Sequence, residues 1–371
     1  MERTFSDDEL RRLRLRSQLL DTGTSATDVP AVLSRVCGLQ AQDASAATLG
    51  IRTRSSDVTA ADVDAALFES RRVVRTWCMR GTLHLVATED VPWLLSVFGP
   101  VFVARSRKRL SDLGFDDDAS ANAVETIHDA IDDHGPLTRA EIAELLQRAG
   151  FAFDARGQAP FHLIRRAALQ GLVCKVAPVD GGEAYGLLNE WVKPQKSTER
   201  EAGLRTLARR YLSAYQPASL DDFASWSKLP MADVRAAWAA IEDERTVVRD
   251  GADRIEMLAN EIPRQGNIEE SPLRLLPRYD TYLLGYASRE FAVSPAEERN
   301  IWPGGGVIRP TVIHDGRAIA TWKLDRSKRE TVVVVVPFDE FPTHCHAALD
   351  AEVADIGRFL DMDVGYRIEE T

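Results

Sequence analysis

One pattern comes three times in this chain: a helix, a short turn, a second helix and a β-hairpin. In the middle copy Thr138 caps a helix over residues 139–149, Gly157 breaks the chain, and a second helix covers 159–169. Strands over 172–178 and 184–188 then flank Asp180-Gly181-Gly182, a sequence suited to a tight hairpin turn. In the third copy Ser219 caps residues 220–228, Leu229-Pro230 turns the chain, and residues 232–242 form the next helix. A hairpin over 246–258 follows, around Asp250-Gly251. The first copy has helices over 29–39, 44–52 and 59–69, then a β-branched stretch, 72–86, with Gly81 as its turn. The copies share little sequence, so the repeat is one of architecture. Helices closed by a hairpin in this order outline a winged helix.

The remaining segments fit around these units. Ser6 and Glu9 form a capping box before a helix whose apolar side is Leu10, Leu13, Leu15 and Leu19. Arg11, Arg12, Arg14 and Arg16 decorate the rest, as a solvated face or as a phosphate-facing one. A helix opens at Thr88 with Pro92 in its first turn, Asp116–Asp118 reads as a loop, and a helix over 119–133 ends at Gly135-Pro136. A long helix over 197–215 follows Pro194. From residue 272 the character changes to strands over 273–276, 307–314, 318–324 and 331–337, with a closing helix over 346–360. The expected fold is mainly α with β (α+β): three tandem winged-helix domains plus a small C-terminal antiparallel β domain. The expected boundaries are 1–110, 111–195, 196–262 and 263–371.

A chain of 371 residues, 44% hydrophobic and 28% charged, has room for two to four such cores. Its longest apolar run, 331–338, is too short to cross a bilayer, and the charged first ten residues lack the apolar core of a secretory signal. Four cysteines without CxxC spacing fit a reducing, cytoplasmic setting better than a disulfide framework or a zinc finger. The net charge of −11 speaks against a generic polyanion binder. It is unevenly spread, however: residues 1–110 hold 16 Lys and Arg against 13 Asp and Glu. Basic clusters sit at 11–16, 71–75 and 105–109, and residues 112–133 are strongly acidic.

Several groups of residues bear on chemistry. Gln40-Ala41-Gln42 lies between two helices, and in an extended link side chains two apart point the same way. Two uncharged amides there suit holding a water or reading a base edge. By itself the stretch favours the plainer reading, a helix junction whose glutamines satisfy nearby backbone. Asp43 is placed to cap the next helix, with a role as a base as the alternative. Arg80, Thr82 and His84 alternate on one hairpin face, able to bind a phosphate or to leave a buried histidine satisfied by backbone. Arg165 and Arg166 stand on the recognition-helix position of the second unit and Lys175 on its wing, so DNA contact is expected of them. Asp280, between Arg278 and Arg289, reads as a structural ion pair. Gly304-Gly305-Gly306 precedes a strand rather than a helix and is a turn, not a phosphate cradle. His344-Cys345-His346 lacks a partner at metal-ligand spacing, and no metal is assigned to it.

Four stretches taken together resemble a known family: GLQAQDASAATLGIRTR at 38–54, TWCMRGTLHLVATED at 76–90, LLPRYDTYLLGYASR at 275–289 and VIRPTVIHDGRAIATW at 307–322. They identify the chain as similar to the winged-helix DNA-binding family containing the AlkZ-type and YcaQ-type DNA glycosylases. The resemblance implies tandem winged helices forming a cleft for duplex DNA, and removal of alkylated purines, including bulky adducts and interstrand crosslinks at N7 of guanine. The family's catalytic signature is Gln-x-Gln in the AlkZ type, which Gln40-Ala41-Gln42 matches. It reverses the plainer reading, making Gln40 and Gln42 a water-positioning, sugar-stabilising pair, with Asp43, Arg80, Thr82 and His84 as possible support. Arg52, Arg54, Arg165, Arg166 and Lys175 become the expected DNA contacts. The family's DNA-inserting hairpin maps to about 172–188, where the turn Val179-Asp180-Gly181-Gly182-Glu183 is acidic and carries no aromatic residue. The implied partner is double-stranded DNA carrying alkylated bases, acted on by a monomeric, monofunctional glycosylase without cofactor, metal or membrane. The residues alone also admit a non-enzymatic winged-helix protein, either a regulator or one that sequesters lesions, and a protein-contact scaffold.

Overall fold

The computed structural model describes residues 5–193, 199–249, 254–262, 272–326 and 330–369. The chain divides into two compact units, one made of Met1–Asp64 with Arg205–Thr371, the other of Ala65–Leu204. In the first unit α1 (Asp7–Ser17) starts at the capping box: Ser6 Oγ accepts from the Glu9 amide at 3.3 Å and the Glu9 carboxylate from the Ser6 amide at 2.8 Å. The helix α2 (Val29–Arg35) ends earlier than the expected 29–39 because Cys37 and Gly38 take positive φ, 56° and 87°. That early stop releases the two-residue strand β1 (Leu39–Gln40) before α3 (Ala44–Arg52) and α4 (Ala60–Asp64).

The second unit begins with a π-helical turn, Ala65–Glu69, then β2 (Val73–Trp77) and β3 (Leu83–Ala87), paired antiparallel from Val73↔Ala87 to Trp77↔Leu83. It continues through α5 (Val91–Asp112), α6 (Asp117–His134), β4 (Leu137–Thr138), α7 (Arg139–Arg148) and α8 (Ala159–Leu169). The hairpin β5 (Val173–Val179) and β6 (Gly182–Leu187) closes it, turning at Asp180-Gly181 with φ of 49° and 76°. Within this unit the strands lie in the order β3-β2-β5-β6-β4, with Arg75 of β2 opposite Lys175 of β5. Backbone pairing thus fuses the hairpin of the first repeat to that of the second. The expected boundary at 110 would cut α5, and the compact division falls at 64/65 instead.

One expectation in this unit is corrected. Asp116–Asp118 is not a loop: Asp116 caps α6, accepting from the Ala119 amide at 2.8 Å, and Asp117 and Asp118 fill the first turn. The helix opening near Thr88, whose apolar stretch ends at Phe98 in the sequence, runs on through Pro100 to Asp112. Proline has no N–H for the Ser96 carbonyl, and Arg200 supplies the missing donor, its Nη1 reaching Ser96 O at 3.2 Å and Val97 O at 2.8 Å. One residue before the proline, a Cβ on Gly99 would stand 2.4 Å from the Leu169 carbonyl, so only glycine lets α5 lie this close to α8.

The first unit resumes in α9 (Arg200–Tyr215, from Arg205 onward), α10 (Leu220–Ser227), α11 (Met231–Ala239), β7 (Arg245–Arg249) and β8 (Ile255–Leu258). The Asp250-Gly251 turn and residues 197–198 lie outside the described residues. Then come β9 (Arg274–Leu276), α12 (Thr281–Leu284), α13 (Glu298–Ile301), β10 (Thr311–His314), β11 (Arg317–Asp325), β12 (Thr331–Pro337), α14 (His346–Leu360) and β13 (Val364–Ile368). The sheet order is β13-β12-β11-β10-β9. Three pairings are antiparallel, as expected, but β12 and β13 are parallel, joined through α14. So α14 does not close the chain. Val333 and Val335 of β12 pack with Trp322, Leu349, Val353 and Ile356 in one core. Each such fully buried side chain contributes about 1.5–3 kcal/mol of transfer free energy. Among the described residues no helix is long and apolar enough to cross a membrane.

Candidate functional site

In the first unit the Gln-Ala-Gln stretch occupies β1 and the bend after it. Ala41 is fully buried, Gln40 half-buried and Gln42 exposed, a burial pattern that fits the expected extended link. The stretch is held close to α3, since a Cβ on Gly50 would meet Leu39 at 3.3 Å and Pro277 at 3.7 Å. Asp43 caps α3, one carboxylate oxygen accepting from the Ala46 amide at 3.1 Å while the other stands 3.9 Å from Arg278. Its position as cap is the one the sequence favoured, and it leaves one oxygen tied to the helix.

Arg52 and Arg54 are not placed to meet DNA. Both are buried at 1% and 0% exposure. Arg52 binds Glu352 at 2.8 Å and Asp355 at 2.9 Å and also reaches the Leu275 carbonyl. Burial works against its charge, yet Glu352 and Asp355 outweigh it and hold its pKa above the ordinary arginine value. Arg54 donates to both carboxylate oxygens of Asp280 and to the Gly50 carbonyl. Asp280 is thus the structural ion pair expected of it, though with Arg54 rather than Arg278 or Arg289, and it also caps α12 through the Tyr282 amide. Two of the α1 arginines are likewise internal: Arg11 reaches the Asp315 carbonyl at 2.7 Å, and Arg14 lies over the rings of Tyr286 and Phe291 at 4.3 and 4.4 Å. Neither the solvated face nor the phosphate-facing one describes these two.

In the second unit Arg80, Thr82 and His84 come together, but not as a strand face. Met79–Gly81 is a 3-10 turn with Arg80 at φ 55°, and β3 begins only at Leu83. His84 is buried, with Nε2 3.3 Å from Arg80 Nη2 and Nδ1 3.0 Å from the Thr82 carbonyl. A guanidinium cannot accept a hydrogen bond, so Nε2 carries the lone pair and Nδ1–H donates to Thr82. Burial, then the Arg80 charge, push the His84 pKa down to about 3, so the ring is neutral at pH 7. Thr82 spends its hydroxyl on the Met79 carbonyl at 3.2 Å. The trio is a satisfied turn rather than a row of phosphate ligands.

The second unit also withdraws two expected DNA contacts. Arg166 is 7% exposed and faces Asp117 at 3.6 Å. Lys175 is 6% exposed, paired with Glu183 and stacked on the Tyr185 ring at 4.8 Å. Arg165 is half-buried, its Nε donating to the Gly81 carbonyl at 3.1 Å; a Cβ on Gly81 would come within 2.3 Å of it. A cluster of exposed cations lies on α5: Arg105, Arg107, Lys108 and Arg109. Their cluster was visible in the sequence, at 105–109. Burial, then the charges of Arg165 and Arg109, lower the pKa of His162 on α8.

Residues 33–359 match the model of the family described as DNA glycosylase AlkZ-like. A relative from Streptomyces sahachiroi, named interstrand DNA cross-link repair glycosylase, is 27% identical over 371 residues, covering 93% of this chain and 94% of its own. The solved structure named Streptomyces sahachiroi DNA glycosylase AlkZ aligns with a TM-score of 0.83 at 23% identity, covering 99% of this chain and all of that one, and so shares its fold. The agreement with a family model over nearly the whole length settles the matter that the four sequence stretches raised: this chain belongs to the AlkZ-like DNA glycosylase family.

Proposed function

We propose that the protein is a monofunctional DNA glycosylase that hydrolyses the N-glycosidic bond of N7- or N3-alkylated purines. An alkylated purine is already cationic, so it leaves without needing a proton. What remains is to stabilise an oxocarbenium-like sugar and place a water, and neutral amides suffice for that. Gln40 and Gln42 carry the reading: they flank buried Ala41 at more open positions, and an amide carbonyl can orient a water without ionising. The three helix–helix–hairpin segments are read as winged helices that engage duplex DNA. The exposed cations of α5, rather than the buried arginines, serve as phosphate contacts. The name of the Streptomyces sahachiroi relative places interstrand crosslinks among the substrates to try.

Base release from N7-alkylguanine duplex DNA tests this. The purified protein is expected to free the base and leave an abasic site. Gln42→Ala should lose about 10²-fold in rate, the scale of removing one pre-placed polar group, while keeping its DNA affinity. Unchanged release by the Gln40→Ala, Gln42→Ala double variant would overturn the catalytic assignment. DNA binding without release would favour a non-enzymatic, lesion-sequestering protein, and no salt-dependent binding a protein-contact scaffold.

A further inference from the structure

The sequence offered His344-Cys345-His346 without a distant partner, and the fold supplies one. His314, at the end of β10, is brought beside His344 and Cys345, and one ligand atom from each of the three lies within 4.8 Å of the others. The two imidazole rings stand 5.1 Å apart at 58°. Among the described residues neither ring makes a hydrogen bond to another protein group. His346, the third member of the sequence trio, turns away and packs its ring edge-on against Phe341 at 5.5 Å.

The geometry points to a divalent transition-metal site formed by His314, His344 and Cys345, with Zn²⁺ as the cation it suits best. Two imidazoles and one thiolate are a borderline-soft donor set, which favours zinc over the hard cations Mg²⁺ and Ca²⁺. Side-chain rotation can adjust the donors around one ion, because His344 is exposed and His314 half-buried. Cys345 is the fixed member: it is 1% exposed, part of the core under the sheet, and directly precedes the first turn of the fifteen-residue α14. On binding, the Cys345 thiol gives one proton to solvent, its sulfur becomes a thiolate ligand, and both histidines donate as neutral imidazoles. The exposed side of His344 leaves a fourth position to water. Such a site ties the tip of the β10–β11 hairpin to the start of α14, two parts of the first unit that are thirty residues apart in sequence. This assignment is independent of the glycosylase reading.

The test uses the full-length protein, stripped with a chelator and then titrated with Co²⁺ and, separately, Zn²⁺. One ion per chain is expected, with a thiolate-to-cobalt charge-transfer absorption that Zn²⁺ abolishes by displacement, and a rise in thermal midpoint with either metal. His344→Ala, a change at an exposed position that keeps the fold, should weaken binding tenfold or more. Cys345→Ser should remove the charge-transfer band, and His346→Ala should bind as the parent does. Absence of the band in the parent, or affinity in His344→Ala equal to the parent's, would overturn the site.

Discussion

Arg54 and Asp280, 226 residues apart in sequence, face each other fork to fork, with nitrogen–oxygen distances of 2.7 and 2.8 Å and no exposure of either side chain. The pair is tied into its surroundings: Arg54 also binds Gly50, Thr53 and Thr281, and Asp280 caps α12. A buried pair of this kind tolerates removal of neither partner, because the survivor keeps its charge without compensation. Arg54→Ala or Asp280→Ala is expected to lower unfolding stability by about 3–5 kcal/mol. Urea titration reads this directly, and a loss under about 1 kcal/mol would refute it. The DNA affinity of the folded protein should be unchanged, in contrast to the phosphate contact that the sequence suggested for Arg54.

Glu352 sets an acid limit. Burial raises its pKa, but Arg52 and Arg274 lower it further, leaving it below the ordinary glutamate value of 4.5. A carboxylate depressed in the fold contributes stability above its unfolded pKa, and that contribution fades as pH falls through the folded value. Urea midpoints should therefore drop below pH 4.5. Glu352→Gln should flatten this limb while being less stable than the parent at pH 7, where Arg52 is left short of a partner.

His84 acts over a higher window. The folded ring binds a proton only near pH 3, whereas an ordinary histidine does so at 6.5. Between these values the unfolded chain takes up a proton that the folded one refuses, so stability decreases as pH falls, by at most about 1.4 kcal/mol per pH unit. His84→Gln should remove the slope between pH 6 and 5, where Glu352 contributes little. An unchanged slope would mean that His84 is protonated in the fold.

Glu183 holds two cations on the hairpin of the second unit, pairing with both Lys175 and Arg75. Burial pulls the Lys175 pKa down and the Glu183 charge pulls it back up, so the carboxylate supports the ammonium. Glu183→Gln should tighten binding to non-specific duplex DNA severalfold and steepen the salt dependence by about one unit. Lys108→Ala, on the exposed end of α5, should do the reverse, reducing the slope by about one. Fluorescence anisotropy across a salt series checks both, and indifference to Lys108→Ala would remove α5 from the proposed interface.

Local signals were legible without the fold. The capping box at Ser6, the caps at Thr138 and Ser219, the turn at Asp180-Gly181 and the Gln-Ala-Gln link before α3 all depend on residues within four positions of one another. Short-range rules suffice there because the hydrogen bonds concerned close over a few residues. Helix α5 escaped such rules at Pro100, since the donor that replaces the missing amide comes from Arg200. Strand β13 escaped them because a half-exposed edge strand of five residues carries little hydrophobic pattern of its own.

Charge marks the line between what the sequence by itself determined and what only the tertiary structure decided. Arg52, Arg54, Arg166 and Lys175 are cations in the sequence, with nothing local to say whether they face water. Lys175 finds Glu183 across its own hairpin, but Arg52 and Arg54 find buried carboxylates 300 and 226 residues away and Arg166 faces Asp117 from another helix, so only long-range packing turns these three from DNA contacts into internal pairs. The same holds for His314, which becomes a neighbour of His344 and Cys345 only when β10 and α14 are assembled. The order of helices and hairpins, and the Gln-Ala-Gln motif, belong to the sequence. Which polar groups remain available for chemistry is settled by burial, which no short window of residues encodes.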